Sequence, residues 1–394
     1  MENFNFYSPT EFVFGKSTEL EAGRLVKKYG GTKVLVHYGS NSAKKSGLLD
    51  RVCESLKNYG IQYVLLGGVK PNPRDTLIYE GIEICRNENI DFILSVGGGS
   101  CIDSSKGIAA GYYYEGDFWD MYIRKGEVKK ALPIGTVLTI AAAGSEGSGA
   151  SVVTKEEGML KRDISSDLIR PRFSILNPEL TCTLPPYQTA CGITDIMAHI
   201  FERYFTNTTD VEVTDRLCEA LLLTMIKEGK RVIDDPDNYQ ARANVMWAGT
   251  VAHNDIVGVG RSQDWNSHGL EHELSGLYDC AHGAGLAVIM PAWMEYVYKH
   301  NVNRFCEVAT RVWGVQMNFE NPEETALAGI REFRKFLRYI GMPLDFEEIG
   351  AKEEDIPVLV EKLGIGDGVR GGFMQLNRDD VTNIYKLAAK KQNI

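Results

Sequence analysis

The sequence predicts an α/β amino-terminal domain built on a doubly wound parallel sheet, followed by an all-helical carboxy-terminal domain. Three observations carry this expectation. Up to about residue 180, short β-branched runs alternate with stretches of helical apolar spacing, the pattern of strand, helix, strand units around a parallel sheet. After Asn177-Pro178 those runs thin out and long helical periodicities take over. At 394 residues, with about 150 residues per domain, the chain is long enough for two or three domains with well-buried cores.

Taken in order, strands are expected over residues 33–38, 62–66, 91–96, 134–139 and 173–176. Between them Leu48-Leu49-Val52-Leu56 and Ile78-Ile82-Cys85 recur at helical spacing, so each crossover should be a helix packed on the sheet. The clearest helix follows Pro185-Pro186, where Ile193, Ile196, Met197, Ile200, Phe201, Tyr204 and Phe205 form a sustained apolar stripe. Further helices are expected around 215–229, 237–252, 322–339 and 379–391. The domains are placed at 1–179 and 180–394.

Apolar residues at 44% and charged residues at 24% describe a soluble globular chain and exclude a disordered or fibrous one. The 43 Lys and Arg against 53 Asp and Glu give a net charge of -10, which disfavours nucleic acid and anionic membranes as partners. Eight cysteines are too sparse for a disulfide scaffold and form no Cys-x-x-Cys pair, so they read as thiols of a reducing compartment. The start, Met1-Glu2-Asn3-Phe4-Asn5-Phe6, has no basic region followed by an apolar one, and the longest near-apolar run, Gly285 to Met294, is about half a membrane span. A cytoplasmic location is expected.

Three constellations point to chemistry. In the first, Ile93-Leu94-Ser95-Val96 runs into Gly97-Gly98-Gly99-Ser100 and then Cys101-Ile102-Asp103-Ser104-Ser105-Lys106. Glycines at a helix start let the backbone approach a phosphate, and the free amides and helix dipole favour negative charge. With Ser100 as the helix-capping residue the segment reads as a pyrophosphate seat, although it is not G-x-G-x-x-G. In the second, an earlier strand ends in Gly39-Ser40-Asn41, where a dinucleotide-binding sheet selective for NAD(H) carries an acidic residue. Small hydroxyl and amide donors suit a 2′-phosphate, so NADP(H) is expected over NAD(H); the alternative is an ordinary turn.

The third is a concentration of histidine: His199, His253, His268, His272 and His282, five of seven, lie between positions 199 and 282. Asp195 and His199 are spaced i, i+4 and project from one helix face. With His268 and His282 they make an N3O donor set that suits Zn²⁺ or Fe²⁺ and leaves room for a substrate oxygen. His272 is one helical turn beyond His268, near the same cavity. Singly, each histidine reads as a structural residue; the metal reading rests on the group. There is no His-Glu-x-x-His, which argues against a zinc peptidase.

These residues resemble the iron-dependent, or group III, alcohol dehydrogenase family, in particular its butanol dehydrogenase-like, NADP(H)-using branch of aldehyde reductases. The motifs are Gly97-Gly98-Gly99-Ser100-x-x-Asp103-x-x-Lys106, Asn177-Pro178-Glu179-Leu180 with Leu184-Pro185-Pro186, Gly192-x-x-Asp195-x-x-x-His199, and Gln263-Asp264-Trp265 through His268 and His272 to His282-Gly283. They span nearly the whole chain. The resemblance implies the dehydroquinate synthase-like, iron-containing alcohol dehydrogenase fold, with metal and nicotinamide meeting in the cleft between its domains, commonly as a homodimer or larger assembly.

It further implies that Asp195, His199, His268 and His282 hold the metal and that His272 is an active-site polar or proton-relay residue rather than a ligand. Gly39 and Ser40, beside Asn41, match the 2′-phosphate loop; Gly98, Gly99, Ser100 and Asp103 match the pyrophosphate loop; Thr139, Lys161 and Leu180 match further cofactor contacts. One departure is Ala143-Gly144-Ser145-Glu146, where the family often has Thr-Gly-Ser-Glu and hence one more hydroxyl for the cofactor. The implied activity is hydride transfer between NADP(H) and an aldehyde or primary alcohol, assisted by Fe²⁺ or Zn²⁺. The alternatives are a glycerol dehydrogenase-like or dehydroquinate synthase-like enzyme on the same fold, or a non-catalytic nucleotide- or metal-binding protein. The Asp195 to His199 helix and the His268 to His282 segment match the alcohol dehydrogenases better.

Overall fold

The apolar runs of the amino-terminal half hydrogen-bond into one parallel sheet with helices on both faces. The computed structural model describes residues 1–39 and 41–392, so Ser40, expected at the 2′-phosphate loop, lies outside the described residues. Among the described residues eight strands form: β1 Glu11–Phe14, β2 Lys33–Gly39, β3 Gln62–Val69, β4 Phe92–Gly97, β5 Ile134–Leu138, β6 Ala150–Lys155, β7 Leu160–Ser165 and β8 Phe173–Leu176. The sheet runs β1-β8-β5-β4-β2-β3 with every neighbouring pair parallel, and β6 and β7 make a separate antiparallel hairpin.

Alternation along β2 divides the core. Val34 and Val36 point to the face covered by Leu48, Leu49, Val52 and Leu56 of helix Leu48–Asn58, while Leu35 joins Ile78, Ile82 and Ile108 on the other. Strands β4, β5 and β8 are buried throughout, as parallel strands covered on both faces are. His37, inside β2, is fully buried and bonded at both ring nitrogens, to the Leu66 carbonyl at 2.9 Å and Ser104 Oγ at 2.8 Å. Burial pushes its pKa down to about 4, so it stays neutral and ties β2 to β3 and to helix Gly99–Tyr113.

Contacts divide the chain into two units: Tyr7–Leu184 with Asp237–Asn254, and Met1–Phe6 with Pro185–Pro236 and the chain from Asp255 onward. The crossing falls at residue 184, against the expected 179. Helix Tyr239–His253, placed with the helical domain by its periodicity, packs in the sheet unit instead. There Trp247 meets Phe12 edge-on at 5.7 Å and Thr250 Oγ1 donates to Glu146 Oε1 at 2.6 Å. Periodicity says that a segment is helical; it does not say which core receives it.

The other unit contains no β-strand among its described residues. Its helix Pro186–Tyr204 is buried on all sides from Gly192 to Tyr204, so the polar residues on it, including Asp195, His199 and Glu202, sit in the core and need partners there. No helix of the described residues is long and apolar enough to cross a membrane.

Candidate functional site

Helix Pro186–Tyr204 brings two donors to one point. Asp195 and His199, one turn apart, are 3% and 5% exposed, too buried for water to compensate a lone charge. Helix Asn266–Tyr278 adds His268, and His282 opens helix His282–Val297. Asp195 Oδ1 lies 3.5 Å from His199 Nδ1, 3.8 Å from His268 Nε2 and 3.7 Å from His282 Nε2. Ligands held at about 2.1 Å from one ion in tetrahedral array are about 3.4 Å apart, so these separations fit a shared cation. The donor atoms of Asp195, His268 and His282 lie within 4.8 Å of one another. His199 borders that trio, its ring stacked on His268 at 4.6 Å. Asp195 Oδ1 and His268 Nε2 are buried with no hydrogen-bond partner, the condition of atoms that await a ligand.

Behind the imidazoles stand two fully buried carboxylates that the sequence reading did not single out. His268 Nδ1 bonds Glu202 Oε1 at 2.8 Å, and His282 Nδ1 bonds Glu271 Oε2. A carboxylate on Nδ1 assigns the proton there and leaves the Nε2 lone pair facing Asp195. Burial alone would lower the His268 pKa, yet Asp195 and Glu202 outweigh it and hold it up at about 9, so Nε2 carries a proton at neutral pH unless a cation takes its place. Glu202 follows Asp195 by seven residues, two turns along the same face and opposite the apolar stripe, and that spacing was its one signal in the sequence.

Two glycines let the three helices close. A Cβ on Gly283 would stand 2.1 Å from the Cys191 carbonyl oxygen, and one on Gly285 would stand 2.6 Å from Glu271 Oε1. The helix that begins at His282 can therefore lie against both helices that carry the other donors. His272 is half-buried at the rim, its ring 5.7 Å from that of His282. Of the aromatics in the chain, Trp119, Tyr122 and Trp293 are core residues and Trp247 is exposed, whereas Trp265 packs on His268 at 5.1 Å and His199 at 5.9 Å. His253 lies in the sheet unit.

In the sheet unit, β2 and β4 are neighbours while β3 lies on the far side of β2. This reversal of strand order is where doubly wound sheets open a ligand crevice beyond the carboxyl ends of their strands. Gly39 ends β2 and Gly97 ends β4 there, and Thr139, just past β5, donates its N–H to the Gly97 carbonyl at 3.0 Å. Gly98, in extended conformation, is the N-cap of helix Gly99–Tyr113, with no side-chain cap. Ser100, expected as the cap, lies inside the first turn instead. The reason is space: a Cβ would stand 3.1 Å from Ile140 at Gly98 and 3.0 Å from Ala143 at Gly99, so the loop fits closely and presents its first-turn amides outward.

Asp103 points inward. Its carboxylate accepts from Ser145 Oγ at 2.6 Å and the Val152 amide at 3.1 Å, and fully buried Lys106 donates to the carbonyls of Ser145, Ser148 and Ala150. Both residues brace the segment after β5, so Asp103 supports the helix start from behind. Gly144 within that segment has φ +63, and a Cβ there would stand 2.5 Å from His253, so only glycine fits. Lys161 is buried on β7 opposite Thr154, Asn41 is exposed before the short helix Ser42–Lys45, and Leu180 follows β8 and packs on the sheet core.

Residues 9–178 match the family described as iron-containing alcohol dehydrogenase, and residues 189–389 match the carboxy-terminal part of the Fe-containing alcohol dehydrogenase family. The chain is 40% identical to NADH-dependent butanol dehydrogenase A of Clostridium acetobutylicum, over 98% of this chain and 99% of that one. It is 37% identical to the NADPH-dependent aldehyde reductase YqhD of Escherichia coli, over 92% and 93%. The crystal structure of NADH-dependent butanol dehydrogenase A from Thermotoga maritima superposes with a TM-score of 0.96 at 42% identity, covering 99% of both chains.

Proposed function

The chain belongs to the iron-containing alcohol dehydrogenase family, and from that premise we propose that it reduces aldehydes to primary alcohols with NADPH as the preferred hydride donor. It is a metal-dependent oxidoreductase of alcohols and aldehydes that uses a nicotinamide cofactor. The proposal extends to the residues: Asp195, His199, His268 and His282 hold the divalent ion, Fe²⁺ or Zn²⁺. What carries it is the convergence of Asp195 Oδ1, His268 Nε2 and His282 Nε2 at 3.7–3.8 Å in a buried site, with carboxylates on the opposite ring nitrogens of both histidines.

When bound, the cation draws charge from the substrate oxygen and the nicotinamide carries the hydride. Asp195 supplies the single anionic donor, and Glu202 and Glu271 keep His268 and His282 in the tautomer that offers Nε2. The first-turn amides of helix Gly99–Tyr113 receive the pyrophosphate. His272, at the rim, delivers the proton that the product oxygen gains on reduction. His272→Asn is therefore expected to keep its metal, lose about a hundredfold in kcat and lose one ionisation from the pH profile of kcat. Unchanged kcat with an unchanged pH profile contradicts that role.

The cofactor preference rests on the end of β2, where Gly39 and Asn41 stand without a carboxylate to repel a 2′-phosphate. The relatives divide by name, NADH-dependent in Clostridium acetobutylicum and NADPH-dependent in Escherichia coli, so the residues carry this part of the reading. A Cβ at Gly39 meets only ordinary contacts, Cys101 Sγ at 3.7 Å and the Val69 carbonyl at 3.8 Å, so Gly39→Asp should fold. The variant is expected to lower the NADPH to NADH ratio of kcat/KM by about tenfold or more, about 1.4 kcal/mol. The test is steady-state oxidation of NADPH and of NADH with butanal by the purified protein; equal kcat/KM with both in the unsubstituted enzyme contradicts the preference.

A further inference from the structure

We propose that Glu202 is the positioning residue of the metal centre: its one buried carboxylate fixes both the start of the helix that carries His268 and the orientation of the His268 ring. The inference rests on the metal reading above and adds to it a residue that is not itself a ligand.

Glu202 is two turns along helix Pro186–Tyr204 from Asp195, with its side chain fully buried. Its Oε1 accepts from the His268 amide at 2.9 Å and bonds His268 Nδ1 at 2.8 Å, while Oε2 accepts from the Trp265 amide at 2.8 Å. The Glu202 carbonyl oxygen also accepts from the Asp264 amide at 2.9 Å. Four bonds from one residue thus grip positions 264 to 268.

The segment needs that grip. Helix Asn266–Tyr278 has Trp265 as its N-cap, with no side-chain cap of its own and a left-handed φ of 65. That conformation is costly for a large side chain and persists only where the surroundings impose it. An N-cap side chain ordinarily accepts from the amide of the third helical residue; here that residue is His268, and the acceptor comes from a different helix. A carboxylate at this end also suits the helix dipole. The Trp265 indole is held in turn, donating from Nε1 to Gln263 Oε1 at 3.0 Å and lying under Arg203 at 4.7 Å. The same carboxylate therefore sets where the His268 helix begins and which nitrogen His268 presents to Asp195.

Glu202→Gln keeps the shape but has a single acceptor oxygen and turns an NH2 toward amide donors, so it cannot serve both Trp265 and His268. Metal-free wild type and variant are titrated with Co²⁺ against a competing chelator, and the visible absorption of the bound Co²⁺ is recorded. The expected result is a Kd raised about 10- to 100-fold together with a changed Co²⁺ spectrum in a variant whose circular dichroism matches wild type. An unchanged spectrum, whatever the Kd, overturns the inference, because positioning must alter the geometry at the ion. So does a Glu202→Gln chain that cannot be purified folded, since the carboxylate would then be a folding requirement. Wild type that binds no Co²⁺ fails the metal reading itself, which separates the two.

Discussion

Asp195→Ala is expected to lose its bound metal and about three orders of magnitude in kcat/KM while the protein stays folded. The carboxylate faces three imidazoles at 3.5–3.8 Å and has no hydrogen-bond partner at Oδ1, so its removal empties the centre of its only anionic donor without breaking a bond that holds the helices. The loss of Lewis-acid stabilisation is worth several kcal/mol, and about 1.4 kcal/mol corresponds to each tenfold in rate. A second signature is thermal. Added metal raises the melting temperature of the wild type through linkage to binding, and that rise is expected to vanish in Asp195→Ala and in His268→Ala. Elemental analysis and melting curves with and without metal read both effects; full metal stoichiometry in both variants contradicts the ligand set.

Gly283→Ala is expected to weaken the same centre, although position 283 offers no ligand. The added methyl would stand 2.1 Å from the Cys191 carbonyl oxygen and 2.6 Å from its carbon. Both are backbone atoms of helix Pro186–Tyr204, so no rotamer change relieves the clash and the helix that starts at His282 must move away. Overpacking of this kind costs about 1–3 kcal/mol. The displacement falls one residue from His282, so metal affinity is expected to fall at least about tenfold, since misplaced support alone costs that much. Denaturant melts and Co²⁺ titration measure the two. Unchanged affinity would show that the close helix approach is not what aims His282.

How much of this could be read in advance follows physical lines. The buried parallel strands were legible because both faces of each are covered and the apolar runs are nearly continuous. β1 was not, being four residues long and only half-buried, with its partner β8 far along the chain. The hairpin of β6 and β7 was also missed, because Lys161-Arg162-Asp163 interrupts any apolar pattern in β7. The clustered residues Asp195, His199, His268 and His282 were legible as a group from the i, i+4 spacing of Asp195 and His199 and the density of histidine. Their supports were not: Glu202 works through a residue 66 positions away on another helix, and no local pattern records that. Ser100 shows the same limit in reverse, since its residue type suits a cap while the crowding at Ile140 and Ala143 hands that position to Gly98.

The most direct test of a metal centre that acts on the substrate oxygen is NADPH oxidation with butanal, before and after chelation, with Fe²⁺, Zn²⁺ and Mn²⁺ returned singly. Turnover lost to the chelator and restored by at least one ion in the wild type, but by none in Asp195→Ala, is the expected result. Undiminished turnover in protein shown by elemental analysis to be metal-free would contradict it.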